Sequence, residues 1–78
     1  MSEILDIVDE GNRESAAERL GRLVREARKA RGMTQADLAG EEFTASFISQ
    51  VERGLTAPSL KSLRIIASRL GLPMRHFL

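Results

Sequence analysis

The stretch from Thr44 to Arg53 concentrates the residues best suited to recognition chemistry. On a helical wheel of about 100° per residue, Phe47, Ile48 and Val51 share one arc, and Ala45, Ser46, Ser49, Gln50 and Arg53 share the opposite one. A helix whose outer face merely meets water usually carries long Glu and Lys side chains there. Here the outer residues are mostly short or amide-bearing, so the helix backbone can come close to whatever it faces. The major groove of duplex DNA admits an α-helix and presents base edges that Ser and Gln can hydrogen-bond; another helix is the second object such a face fits. Upstream, Thr34 and Gln35 open a short helical segment. The unpaired amides of Thr34 to Ala36 and the positive end of the helix dipole make a place for a phosphate, with the Gln35 side chain as a neutral donor. The plain alternative is a helix cap beside a solvated amide.

Other chemistries lack their usual sets of groups. The one histidine, His76, has no acidic neighbour in sequence to orient it, and the serines fall at helix caps and on polar faces. With no cysteine and one histidine, neither a disulfide framework nor a structural zinc site can be built. The six glycines stand singly at helix ends and linkers, apart from Gly21 inside the first helix, where close packing is the expected reason; none forms a phosphate-cradling loop. No enzymatic activity and no cofactor are expected.

The elements that must position the Thr44–Arg53 face are all helical. Ser15 and Glu18 form a capping-box pattern ahead of Leu20, Leu23, Val24, Ala27 and Arg31, and Gly32 stops that helix; its other face carries Arg22, Arg25, Glu26 and Lys29. Thr34 caps a helix of barely two turns through Leu38 and Ala39 to Gly40, with Asp37 at its third position. Thr44 caps the third, which ends at Gly54. Ser59, after Pro58, caps a fourth with Leu60, Leu63, Ile66, Ala67 and Leu70 inward and Gly71 at its end. Pro73 suits the first turn of a fifth, Met74 to Leu78, whose apolar end at Phe77 and Leu78 is read either as a dimer contact or as a point inside a longer protein.

At 78 residues, 42% of them hydrophobic and only 4% aromatic, the chain has room for one core, built by aliphatic packing, and little area for a deep pocket. Residues 1–12 hold four of the eleven acidic residues and none of the twelve Lys and Arg, leaving −4 there and +5 over residues 13–78. Segment 1–13, with Ile4, Leu5, Ile7 and Val8 among its acids and a break at Gly11-Asn12, is expected to be a flexible arm, and 14–78 the folded domain. The apolar runs are far too short to span a membrane and the N-terminus is acidic, unlike a signal peptide, so a cytoplasmic protein is expected.

Several motifs agree in order and spacing with one family. The run Arg28-Lys29-Ala30-Arg31-Gly32-Met33-Thr34-Gln35-Ala36-Asp37-Leu38-Ala39, then Phe47-Ile48-Ser49-Gln50-Val51-Glu52-Arg53-Gly54, then Pro58-Ser59-Leu60-Lys61-Ser62-Leu63, resembles the helix-turn-helix family of the phage repressor and Cro type. The resemblance covers roughly residues 19 to 78. It implies an all-α, lambda-repressor-like five-helix bundle whose third helix enters the major groove of double-stranded operator DNA, usually as a homodimer, in a sequence-specific transcription regulator, most often a repressor. On that pattern Ala45, Ser46, Ser49 and Gln50 meet base edges, whereas Thr34, Gln35, Thr44 and Arg53 hold phosphates. Arg28 and Glu52 match positions that pair internally in the family, an arrangement that orients helices more than it stabilises them.

Three departures from the family pattern bear on these expectations. From Ala39 to Ile48 the chain is one residue shorter than the common spacing, with Glu41 and Glu42 in the turn, where they must face away from phosphate. Ala45 stands in place of a long polar reader and can contact at best a thymine methyl. Leu55 replaces a frequent Lys or Arg; a place in a dimer seam and a place folded on the core are equally open to it. The resemblance also extends to regulators with a C-terminal sensing or oligomerising domain beyond the stretch read here. The alternative from another class is a protein-interaction module, a bridging factor or an antitoxin-like partner, using the same fold.

Overall fold

A computed structural model describes residues 13–78. The acidic segment expected to form an arm therefore lies outside the described residues, except for Arg13, which is exposed. Four α-helices make up the described chain: α1 (Ala16–Ala30), α2 (Gln35–Ala39), α3 (Ala45–Glu52) and α4 (Leu60–Leu70). No strand occurs among the described residues.

Each helix starts where its capping residue is expected. Ser15 Oγ accepts from the Glu18 amide at 3.0 Å while Glu18 returns a carboxylate to the Ser15 amide at 2.9 Å, closing a capping box at α1. Thr34 and Asp37 close a second box at α2, and single side-chain caps from Thr44 and Ser59 start α3 and α4. At five residues, α2 could not hold its shape alone; it exists because it packs against α3 and α4.

The expected fifth helix is replaced by a shorter turn. After Pro73 the chain makes a single 3-10 turn, Met74–His76, held by i→i+3 bonds from the His76 amide to the Pro73 carbonyl and from the Phe77 amide to Met74. Three residues are too few to close an α-helical ring, and burial of Phe77 fixes their geometry instead. The apolar pair is thus split: Phe77 is 3% exposed and belongs to the core, whereas Leu78 is 73% exposed.

The core is aliphatic, as composition dictates. Val24, Leu38, Ile48, Val51, Ile66 and Leu70 are its fully buried large side chains, with Ala27, Ala39, Leu63, Ala67 and Phe77 filling between them. Leu60 departs from the inward stripe expected of α4 and is exposed, because it occupies the first helical position, beyond the packed surface of the other helices.

Backbone contact between α1 and α3 is unusually close at one point. A Cβ added to Gly21 would lie 2.2 Å from the Val51 carbonyl oxygen and 2.7 Å from that of Glu52. Gly21 lets α1 lie directly on the C-terminal end of α3, in keeping with its place inside a helix.

Candidate nucleic-acid interface

The orientation of α3 is fixed from below. Ile48 and Val51 are fully buried, and the Glu52 side chain is 3% exposed. The opposite side is then set by helical geometry: Ala45, Ser46, Gln50 and Arg53 are exposed and Ser49 is half-buried at the edge. All four residues expected to meet base edges therefore share the solvent side of one helix. Phe47 departs from expectation. It is half-buried, its ring stacked on that of Phe43 with centroids 5.1 Å apart and planes 24° from parallel.

Glu52 joins three elements. Its carboxylate accepts a bidentate pair from Arg28, Nε at 2.6 Å and Nη2 at 2.9 Å, and a third bond from Gln35 Nε2 at 3.1 Å. Arg28 also donates Nη1 to the Met33 carbonyl at 2.9 Å. The Arg28–Glu52 pair implied by the resemblance is thus present, and no buried polar side-chain atom among the described residues lacks a partner. The bidentate carboxylate outweighs the effect of burial and holds the Arg28 guanidinium above its ordinary pKa. The sequence suggests for Gln35 a contact to phosphate or a solvated amide, and not a partner within the fold. Its bond to Glu52 ties the first residue of α2 to the last of α3, and leaves one N–H and the carbonyl oxygen of its amide for a ligand.

The other expected phosphate contacts divide. Thr44 Oγ1 accepts from the Phe47 amide at 3.0 Å, a bond that leaves the hydroxyl proton available to donate outward. Arg53 is exposed and forms no ion pair among the described residues. At Thr34 the expectation of a free backbone amide is corrected: that N–H donates to Asp37 Oδ2 at 2.9 Å, and Thr34 Oγ1 accepts from the Asp37 amide. Capping with an acidic residue three positions on satisfies these donors internally and places a carboxylate at the site. The Thr34 amide and hydroxyl hold that carboxylate below its usual pKa of 3.8, so it is charged at neutral pH.

The shortened turn between α2 and α3 is held by a residue the sequence does not single out. Arg69, on α4, donates Nη1 to the Leu38 carbonyl at 3.2 Å and pairs with Glu42. Gly40 makes room for this contact. Its backbone (φ 56°, ψ −143°) is open in practice only to glycine, and a Cβ there would occupy the place of the Arg69 guanidinium. No local pattern could have shown this contact, because 31 residues separate Arg69 from Leu38. Arg69 also balances the charge of one of the two turn glutamates.

Beyond α3 the loop exposes Leu55 (64%), and further on Leu60 (56%), so Leu55 is not folded on the core. His76 is exposed, edge-on to Phe77. No group of acidic, His or Cys side chains among the described residues could hold a metal ion, and no helix there is long and apolar enough to cross a membrane.

A helix-turn-helix family model matches residues 24–77. The chain belongs to the helix-turn-helix family. Among curated proteins it is similar to the HTH-type transcriptional regulator DdrOP3 of Deinococcus deserti, 38% identical over 56 residues, which cover 70% of this chain and 43% of the relative. Among solved structures it is similar to Bacillus thuringiensis PlcR, seen in complex with the peptide PapR7 and DNA (TM-score 0.75, 38% identity, 78% of this chain and 22% of that one). It is also similar to the restriction-modification controller protein C.AhdI of Aeromonas hydrophila (TM-score 0.70, 29% identity, 80% of this chain and 96% of that one). The helix-turn-helix chain thus spans less than half of the curated relative and about a fifth of the PlcR chain, but nearly all of the controller protein. Within the helix-turn-helix motif α2 is the first helix and α3 the second, joined by the turn that Gly40 and Arg69 shape.

Proposed function

We propose that residues 14–78 are the operator-reading domain of a sequence-specific transcription regulator, with α3 seated in the major groove. The observation that carries this reading is the division of α3: Ile48, Val51 and Glu52 locked inward, and Ala45, Ser46, Ser49 and Gln50 presented together outward on short side chains. Its relatives support it, since one is named as a transcriptional regulator and another is seen with DNA.

In this arrangement Gln50 pairs with adenine through its amide, a contact that discriminates by about 1 to 3 kcal/mol, and Ser46 and Ser49 donate to neighbouring bases. Thr44, Arg53 and the outward half of the Gln35 amide hold phosphates. So few long readers give a monomer little affinity. A homodimer on a two-fold symmetric operator, acting as a repressor, is the assembly this implies, and shape readout supplies part of its specificity. The domain has no catalytic role, and the regulator works in the cytoplasm.

Selection from random duplexes by the full chain tests this reading. It should return a two-fold symmetric site, and Gln50→Ala should lower affinity for that site about 5- to 150-fold for each half-site occupied while sparing random DNA. A folded protein that enriches no sequence would overturn it. One observation favours a second reading, a protein-interaction module: Leu55, Leu60 and Leu78 are exposed apolar side chains. That reading requires a protein partner bound with little dependence on salt.

A further inference from the structure

Phe47 is the one member of the apolar arc of α3 that the core does not enclose. Ile48 and Val51 are fully buried, but Phe47 and Phe43 stay half-exposed, stacked on each other. Phe43 immediately precedes Thr44, the cap of α3, so the two rings stand at the helical turn that carries Ala45 and Ser46. Around the helix axis Phe47 lies about 60° from outward Gln50 and about 40° from buried Val51, so it stands on the border between the two faces, packed on the core along one edge and open along the other. The ring pair therefore flanks the outward face at its N-terminal end. An aromatic ring at that place has no hydrogen bond to give, and the apolar group that the major-groove edges of the bases present is the thymine 5-methyl.

We propose that Phe47, backed by Phe43, reads a thymine of the operator through its 5-methyl group, beside the base contacted by Gln50. The inference rests on the DNA-binding reading above and deepens it. It gives the site an apolar reader that the sequence pattern assigns to the core, and it rejects cytosine, which lacks the methyl and turns an amino donor toward the ring.

The test uses the full chain and the site returned by selection. Each thymine of one half-site is replaced in turn by deoxyuridine, which deletes only the methyl, and affinities are measured for wild type and Phe47→Ala, with helicity checked by circular dichroism. One position should weaken wild-type binding about fourfold, the worth of one methyl withdrawn from water, and leave Phe47→Ala unaffected. Phe47→Leu keeps an apolar side chain in the half-buried position and serves if the alanine variant does not fold; it should shrink the effect at that same position. Equal deoxyuridine sensitivity at every position in wild type and variant would overturn the proposal while leaving DNA binding intact. Failure of selection to return any site would instead overturn the reading on which it rests.

Discussion

Glu52 accepts three hydrogen bonds in a nearly dry position, and truncating it would leave the Arg28 guanidinium buried without a counter-charge. Glu52→Ala should therefore destabilise the fold by about 3 to 5 kcal/mol in chemical denaturation, whereas the paired replacement of Arg28→Met with Glu52→Leu should be close to neutral. The paired variant should still bind DNA less well, because Gln35 loses the carboxylate that aims it. The exposed carboxylates give a separate test in acid. Hydrogen bonding from Thr34 holds Asp37 below its ordinary 3.8, and bidentate bonding from Arg22 holds Glu14 below 4.5. A carboxyl whose folded pKa is depressed stabilises the fold above its unfolded value and loses that contribution as pH falls through the folded one. Melting temperature should thus drop on acidification below about pH 4.5, and Asp37→Asn should flatten part of that drop. At this scale the sequence shows the residue types on α3 but not their partners. The caps are legible because donor and acceptor stand three positions apart, whereas the Gln35–Glu52 bond crosses 17 positions.

The register of α1 on α3 depends on Gly21, where two opposed effects can be compared. Alanine is the better helix former by about 1 kcal/mol, but its methyl would sit 2.2 Å from a backbone oxygen that cannot move without shifting α3. The clash dominates: Gly21→Ala should lose about 2 kcal/mol or more, measured by denaturant titration. The turn from α2 to α3 depends similarly on Gly40 and Arg69. Arg69→Met removes a charged donor from the Leu38 carbonyl, and should cost about 1 to 3 kcal/mol in the same measurement. The starts of the four helices are legible because a cap is a local event. The 3-10 turn at Met74–His76 is not, because Pro73 is equally compatible with an α-helix and with a single 3-10 turn, and the burial of Phe77 decides between them. Helical periodicity likewise puts Leu60 and Phe47 inward. Periodicity fixes the face on which a residue stands, but how far the neighbouring helices extend over that face is settled only by the fold.

Over the whole molecule, charge and apolar surface fall to different groups, and in the proposed regulator they would serve DNA binding and pairing separately. The net +5 over residues 13–78 gives any anionic partner a general attraction, while the exposed leucines offer the apolar area through which two copies could pair. In the proposed reading base readout is assigned to Gln50 on α3 and phosphate contact to Arg53 at its C-cap, and that division is the central claim. It is tested most directly by titrating the selected duplex at a series of salt concentrations with wild type, Gln50→Ala and Arg53→Ala. The expected result is a steep fall of affinity with salt for wild type. Gln50→Ala should bind more weakly with the same slope, and Arg53→Ala should show a slope reduced by about 1 for each half-site occupied. A flat salt dependence, or a Gln50→Ala variant indistinguishable from wild type on the selected site, would contradict the account.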